Sequence, residues 1–193
     1  MEWYQHDFVA DSMVPSYLLQ FQITTSMTLM KEGVVGKVVG VDISAPAIED
    51  ANINAKLNNF TSDGEDSGEA PSTRYVAARA EHVMHEEVSK ARDARKVVAV
   101  VDPAREGLHS DVLRALRNFS QIDRLVYVSC NPTGSLVQDA AILCCPASKR
   151  FRGRPFRPTF CQPVDMFPYS SHCEMVMVFD RMTVEEAGED KYS

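Results

Sequence analysis

The sequence lacks the features that mark several classes of protein. Its 193 residues contain no run of about 18 apolar residues, so we expect no membrane-spanning helix, and no convincing signal peptide is found. Positive net charge is also missing, since the formal charge is −7 and the pI is about 5.2. The whole chain therefore carries no global basic signature for nucleic-acid binding.

Cysteine pairs of the Cys-x-x-Cys type are absent as well. The cysteines are five, an odd number, which favours a reduced, intracellular protein over a disulfide framework, and we expect no metal site. The compartment stays open between cytoplasm, nucleus and mitochondrion. The cysteines are Cys130, Cys144, Cys145, Cys161 and Cys173.

Apolar runs and helical patterns alternate from residue 37 onwards. Hydrophobic residues make up 45% of the chain, enough for one globular domain with a core. The alternation predicts an α/β fold in which a parallel or mixed sheet is flanked by helices. The predicted strands cover residues 38–43, 74–78, 97–102, 124–129 and 174–179, and the predicted helices cover 45–57, 81–92, 110–118 and 133–143.

The ends of the chain and one internal segment lack this pattern. Residues 1–33 have weak periodicity and no clear strand, so we expect an irregular amino-terminal segment before a domain over 34–182. Residues 61–73 are acidic and hold no large apolar side chain, which predicts a surface loop. Residues 183–193 form an acidic tail.

The most informative motif is Ser-Cys-Asn-Pro at residues 129–132. It follows an apolar strand directly, and ligands in open α/β sheets gather at the carboxyl ends of the strands. Cys130 is therefore a candidate nucleophile, because the thiolate is the reactive form of cysteine. The alternative is a buried cysteine that serves as a small apolar residue, which is the common case.

Two acidic residues follow other predicted strands. Asp42 precedes a helix that Ser44 can cap, at the position where nucleotide-binding folds hold a ribose through its hydroxyls. Its alternative role is to stabilise the helix amino terminus. Asp102 is followed by proline, which either holds a functional carboxylate rigidly or forms an ordinary turn.

Charged residues mark two later segments. Glu174 heads the last predicted strand as either a general base or an exposed edge residue. Residues 103–173 carry nine Lys or Arg residues against five Asp or Glu, which suits a polyanionic substrate or a solvated face. The run at 149–157 mixes cations with two phenylalanines, as RNA contacts require, although a localisation signal or a basic surface strand has the same composition. Its cations are Lys149, Arg150, Arg152, Arg154 and Arg157.

Together these motifs resemble the RNA uracil-C5 methyltransferases of the TrmA type, most closely their eukaryotic homologue A branch. The resemblance rests on the order and spacing of GVDISAPAIEDANINAKLNN, VDPAREGLH, YVSCNP, PFRP, DMFP and HCEMV, within residues 35–182. It implies a Rossmann-like fold that uses S-adenosylmethionine to methylate a uridine in the T-loop of tRNA. Family roles would make Cys130 the nucleophile that attacks uracil C6 and Glu174 the acceptor of the C5 proton. Asp42 and Asp102 would then bind the cofactor. Arg105 and the basic run are separate candidates for contact with RNA.

Part of the family pattern is missing from the sequence. No glycine-rich loop precedes the Asp42 strand, and residues 21–24 only partly match the element that the family carries before that loop. We therefore expect a truncated catalytic part that lacks the first strand and the glycine-rich loop. Two alternatives follow: an inactive fragment that binds RNA or a protein partner, and a cytosine-C5 methyltransferase. The SCNP motif with HCE, in place of a Pro-Cys nucleophile motif, disfavours the second.

Overall fold

The computed structural model describes residues 17–21, 29–32, 35–62, 72–91, 94 and 96–189, with five helices and eight strands. The strands are Tyr17–Phe21 (β1), Lys37–Asp42 (β2), Thr61–Ser62 (β3), Ser72–Ala77 (β4), Val97–Val101 (β5), Ile122–Ser129 (β6), Phe156–Val164 (β7) and Glu174–Arg181 (β8). The helices are Ala45–Leu57 (α1), Ala80–Lys90 (α2), Ser110–Asn118 (α3), Ser135–Cys144 (α4) and Val184–Glu189 (α5).

The strands form one mixed sheet. Its order is β3-β4-β2-β1-β5-β6-β8-β7, and the first six strands of that order are parallel. Strand β8 runs antiparallel to both β6 and β7. The carboxyl ends of the parallel strands and the start of β8 therefore lie at the same end of the sheet. We call this end the catalytic edge, because the residues predicted to be catalytic follow or begin these strands. The predicted α/β fold is confirmed.

The expectation that the first strand is lost is wrong. Strand β1 lies at the centre of the sheet, where Leu19 is in register with Val39 of β2 and Ala99 of β5. Its sequence, YLLQF, contains strand-favouring Tyr and Phe but no β-branched residue and no regular apolar–polar alternation, so the sequence pattern for a strand is weak. Valine-rich neighbours on both sides supply hydrogen-bond partners instead. Residues 22–28, which follow β1 and contain no glycine, lie outside the described residues.

The sheet buries apolar side chains on both faces. Val39 and Val41 of β2 join Ala99 and Val101 of β5 in a core under α2, α3 and α4. The residues between them point to the opposite face, because side chains alternate along a strand. There Val38, Val98 and Val100 pack with Met30 and Val35. Burial on both faces explains why these parallel strands read as continuous valine runs.

The predicted loop at 61–73 and the acidic tail both contain regular structure that the sequence analysis does not predict. The expected loop at 61–73 contributes short strand β3 and the start of β4, and 63–71 lie outside the described residues. The acidic tail forms α5 up to Glu189, while 190–193 are not described. A capping box starts this helix, since the Glu186 N–H donates to Thr183 Oγ1 and the Thr183 N–H donates to Glu186 Oε2.

Two buried arginines organise the edge opposite the catalytic edge. The guanidinium of Arg181 stacks 4.2 Å from the centre of the Phe156 ring, and burial lowers the pKa of Arg181 only to about 10, so it stays charged. Its donors reach the carbonyls of Leu116, Arg117, Phe119, Ile122 and Arg154 at 2.6–3.1 Å. Arg117 is fully buried and donates to the carbonyls of Ile142, Leu143, Cys145 and Gly153.

Candidate active site

The catalytic edge collects the four residues that the sequence singles out for catalysis or cofactor binding. Asp42 ends β2, Asp102 directly follows β5, Cys130 directly follows β6, and Glu174 begins β8. A thiol and three carboxyls therefore lie at the same end of three parallel strands and one antiparallel strand. This is the edge where open α/β sheets place their ligands.

Cys130 and Glu174 lie next to the last residue pair of β6 and β8. In that pair, Ser129 is opposite Met175; Cys130 follows Ser129 just outside β6, and Glu174 precedes Met175 as the first residue of β8. The thiol and the carboxyl therefore belong to neighbouring residues at the catalytic edge. Cys130 is partly exposed, so a small planar group has access to it.

Asp102 adds negative charge close to Glu174. Partial burial raises the pKa of Glu174, and the charge of Asp102 raises it further. Burial likewise raises the pKa of Asp102. Glu174 therefore accepts a proton more readily than an ordinary glutamate, which is the property that a general base near neutral pH requires.

Asp42 lies further along the same edge. Its Oδ1 accepts the Ser44 N–H at 2.7 Å, and Ser44 in turn caps α1 through the N–H of Ala47. Strands β1 and β5 separate β2 from β6, so Asp42 and Cys130 are about 14 Å apart across the sheet. An elongated ligand would be needed to reach from one to the other.

Two loops meet beside Cys130. Asn131 donates from Nδ2 to the carbonyl of Arg105 at 3.0 Å, and its own N–H donates to Ser129 Oγ. Gly134 lies so close that a Cβ there would be 2.6 Å from the amide group of Asn131. The turn after β6 and the loop after β5 are therefore fixed to each other, and the exposed Arg105 side chain lies at the catalytic edge.

The basic run lies at the opposite edge of the sheet. It leads into β7, whose Phe156 pairs with Arg181 at the far end of β8 from Glu174. The eight residues of β6 put about 23 Å between the two edges. The basic run therefore lies away from Cys130 and does not surround it with positive charge. Helix α4 connects the end of β6 to the basic run at the opposite edge.

Members of the basic run differ in their surroundings. Arg154 donates to the carbonyl of Met182, and Arg157 forms an ion pair with Glu186 at 2.9 Å. Both have structural partners. Lys149, Arg150 and Arg152 are exposed on a loop anchored by the buried Phe151 ring, over which Arg150 stacks at 5.3 Å.

Two side chains next to the site do not stand out in the sequence. Tyr127 is fully buried on β6, and its hydroxyl donates to Asp139 of α4 at 2.7 Å. Burial raises the pKa of Tyr127 well above its usual range, and the carboxylates of Asp139 and Asp102 raise it further. The sequence does indicate that Asp139 is unusual, because Leu136, Asp139 and Leu143 recur at helical spacing, which puts an acid on the apolar face of α4.

Within residues 17–189, excluding the gaps stated above, no helix is both long and apolar enough to cross a membrane. The same residues contain no group of three or more His, Cys, Asp or Glu side chains that could hold a metal ion.

Solved structures identify the class of fold. The tRNA (uracil-54, C5)-methyltransferase of Pyrococcus abyssi, in complex with S-adenosyl-L-homocysteine, aligns with a TM-score of 0.61 and 25% identity. The alignment covers 86% of this chain and 34% of that chain. An rRNA methylase from Streptococcus thermophilus shares the fold, with a TM-score of 0.57 at 14% identity over 93% of this chain and 95% of the other. The domain therefore has the Rossmann-like fold of the S-adenosylmethionine-dependent methyltransferases.

Sequence relatives narrow this class. The tRNA (uracil-5-)-methyltransferase homolog B of Danio rerio is 39% identical over 147 residues, which are 75% of this chain and 28% of the relative. Homolog A of Mus musculus is 39% identical over 148 residues, or 77% of this chain and 22% of the relative. Over the matched part, the chain is therefore similar to the tRNA (uracil-5-)-methyltransferases.

The match covers only part of each relative. This chain spans only about a quarter of the length of the curated relatives it matches. No family model matches the chain.

Proposed function

We propose that this chain carries the catalytic site for methylation of uridine C5 in RNA, with a T-loop uridine of tRNA as the substrate and S-adenosylmethionine as the methyl donor. The relatives named above support the reaction class. The neighbouring placement of Cys130 and Glu174 at the catalytic edge is the observation that carries the proposal, because this reaction needs a nucleophile and a base on one base ring.

The residues at the catalytic edge fit the ribose end of the proposed cofactor. Only Oδ1 of Asp42 accepts the Ser44 N–H, so Oδ2 is available for a ribose hydroxyl. Asp102 would line the pocket on the side of the reacting groups. When bound, S-adenosylmethionine supplies an electrophilic methyl group on a sulfonium. The absence of glycine from residues 22–28 is the feature that fits this cofactor least.

Cys130 would start the reaction by covalent catalysis. Uracil C5 is a poor nucleophile, so the thiolate adds to C6, forming a C–S bond while the C5–C6 double-bond electrons move onto C5 and the O4 carbonyl. C5 then has the character of an enolate carbon. Because Cys130 stands at the end of a strand and is partly exposed, a base flipped out of its stack can reach it.

Glu174 would finish the reaction. Once C5 carries its new methyl group, the carboxylate removes the remaining C5 proton, the C–H electrons re-form the C5–C6 double bond, and the thiolate leaves with the C–S electrons. Glu174 is a neighbour of Cys130 at the end of the β6–β8 ladder, which supports action of both groups on adjacent carbons of one ring. Its raised pKa suits this proton transfer.

RNA would contact the chain at two separate places. Arg105 lies next to Cys130 and can meet the backbone near the flipped nucleotide. Lys149, Arg150 and Arg152 lie at the opposite edge and would bind phosphates about 23 Å away. Arg154 and Arg157, which already have structural partners, would contribute less.

A mechanism-based RNA tests the proposal. The full chain is incubated with a T-arm RNA containing 5-fluorouridine at the target position, with and without S-adenosylmethionine, and analysed on a denaturing gel. Fluorine at C5 cannot leave as a proton, so the thiolate cannot be expelled and a covalent complex should accumulate. We expect a shifted band that depends on S-adenosylmethionine.

Two variants make the result specific. Cys130→Ala should abolish the band while RNA binding persists, whereas Cys161→Ala, which removes an exposed cysteine of β7, should leave it unchanged. A band that survives in the Cys130→Ala chain refutes the nucleophile. No band from the folded wild-type chain refutes the proposed activity.

A second candidate function is a catalytically inactive fragment that binds RNA or a protein partner. The lack of glycine in residues 22–28 favours it, because close approach of backbone to cofactor at this loop relies on glycine. Calorimetric titration separates the two functions. RNA binding without any heat of S-adenosylmethionine binding would select the fragment, and binding of both ligands would select the enzyme.

A further inference from the structure

Asp139 is a buried carboxylate to which the reaction outlined above assigns no role. It lies on α4 with 5% of its surface exposed. Its Oδ2 accepts two hydrogen bonds of 2.7 Å, from the hydroxyl of Tyr127 on β6 and from the backbone N–H of Leu108. Burying a carboxylate costs free energy unless donors compensate for the lost water. Both donors here come from elements that carry the proposed site.

The backbone around Leu108 is shaped to approach this carboxylate. Gly107 has φ of +87°, in the region that favours glycine, and a Cβ at this position would be 2.8 Å from Asp139 Oδ2 and 2.9 Å from Ser135 Cβ. The N–H of Gly107 also closes a turn onto the carbonyl of Ala104. Any side chain at Gly107 would push the loop away from α4, so the contact depends on glycine.

The same loop is tied a second time, on the side of Cys130. The Asn131 side chain holds the carbonyl of Arg105, and Asn131 follows the proposed nucleophile directly. The loop of residues 102–109 is therefore attached at Arg105 and at Leu108. Its first residue is Asp102, so the two attachments govern where that carboxyl stands relative to Cys130.

We propose that Asp139 is a positioning residue that clasps the 102–109 loop to α4 and β6, and so fixes Asp102 and Arg105 beside Cys130. The purpose of the clasp rests on the proposed function, whereas its geometry does not. Asp139 itself touches neither the proposed base ring nor the cofactor. Without it, the Leu108 N–H and the Tyr127 hydroxyl lose their common acceptor, and the loop is held only by the Asn131–Arg105 hydrogen bond and by packing of Leu108 against the core.

Hydrogen exchange and thiol alkylation of the full chain test the clasp without RNA or cofactor. In Asp139→Ala, the amides of residues 104–109 should exchange at least about tenfold faster, and iodoacetamide should alkylate Cys130 several-fold faster. The β7–β8 amides and Cys161 should react at wild-type rates, which separates loop release from general unfolding. Asp139→Asn keeps an oxygen acceptor and should restore most of the protection. Gln138→Ala, at an exposed neighbour on the same helix, is the matched control.

Selective loop exchange with rescue by asparagine supports the clasp. Unchanged exchange at 104–109, an equal rise over β7–β8, or no rescue overturns it. If Asp139→Ala does not fold, Gly107→Ala disturbs the same contact, because its Cβ would lie 2.8 Å from Asp139 Oδ2, and the same exchange pattern is expected. With 5-fluorouridine RNA, Asp139→Ala should form adduct about tenfold more slowly. A wild-type chain without adduct would refute the proposed function but leave the exchange result valid.

Discussion

Cys130 and Glu174 are neighbours at the end of the β6–β8 ladder, one position beyond the pair formed by Ser129 and Met175. They lie 44 positions apart in the sequence, yet the antiparallel reversal through β7 brings them to the same edge. A parallel strand in the place of β8 would deliver its amino terminus to the opposite edge. The antiparallel end of this sheet is thus what makes a two-residue site of thiol and carboxyl feasible.

Loss of the carboxylate should trap the natural reaction. In Glu174→Gln, Cys130 can still add to C6, but no base removes the C5 proton, so a covalent complex should build up on unmodified uridine RNA with release slowed at least 100-fold. Intact-protein mass spectrometry measures the complex. Glu185→Gln, at an exposed position of α5, should turn over like the wild type. Rapid release in Glu174→Gln would assign the proton transfer to another group.

The pH dependence should reveal the coupling between Asp102 and Glu174. Glu174 acts as a base only when ionised, and burial together with Asp102 raises its pKa. The release rate should therefore fall on acidification at a higher pH than the ordinary glutamate pKa of 4.5. Asp102→Asn removes one negative charge and should move this acid limb to lower pH. Single-turnover release rates from pH 4.5 to 8 measure the limb, and an unmoved limb would exclude coupling.

Much of the fold can be predicted from the sequence, because several buried strands appear in it as apolar runs. Val97–Val101 is an unbroken apolar run, and α3 begins at Ser110 and ends at Asn118 as its pattern predicts. Strand β1 could not be predicted in the same way. Its strand state comes from pairing with β2 and β5, which are far away in sequence, so a local pattern carries no information about it.

The residues of the candidate site likewise fall into those that the sequence reveals and those that it does not. Each of the four strand-end residues, such as Cys130, is visible because an apolar run stops at a polar residue. Asp139 is hidden inside an apolar helix, and its partners Tyr127 and Leu108 are 12 and 31 positions away. The edge occupied by the basic run is also hidden, because it depends on the direction of β7. Tertiary pairing decides both features.

Gly153 should be essential for stability at the edge opposite the site. Its φ is +78°, and a Cβ would stand 2.1 Å from the carbonyl oxygen of Arg117, a backbone atom that cannot move aside alone. Gly153→Ala should cost about 2–3 kcal/mol of unfolding free energy. Gly188→Ala is the control, because nothing lies within 4 Å of a Cβ there and alanine favours helix α5. Urea unfolding compares them, and equal stability of the two variants would contradict the clash.

Arg181 should not be replaceable by lysine. Its planar guanidinium serves five carbonyls and stacks on Phe156, whereas an ammonium has only three donors and no plane to stack. Arg181→Lys should therefore cost about 3 kcal/mol, since buried carbonyls lose their partners. Arg157→Lys, which alters an exposed ion pair, should cost under about 0.5 kcal/mol. Similar urea midpoints for both variants would show that charge alone stabilises this edge.

The exposed loop cations should contribute RNA affinity without contributing to the chemical step. Replacing Lys149, Arg150 and Arg152 by glutamine removes three charges that lie about 23 Å from Cys130. Each lost phosphate contact lowers the slope of log affinity against log salt by about 0.7–0.9, so a total decrease of about 2 is expected. The single-turnover rate at saturating RNA should not change. Arg114→Gln is a single-site control, because it removes one exposed cation, which is paired with Asp111. An unchanged salt slope in the triple variant would assign the phosphate contacts to other parts of the protein.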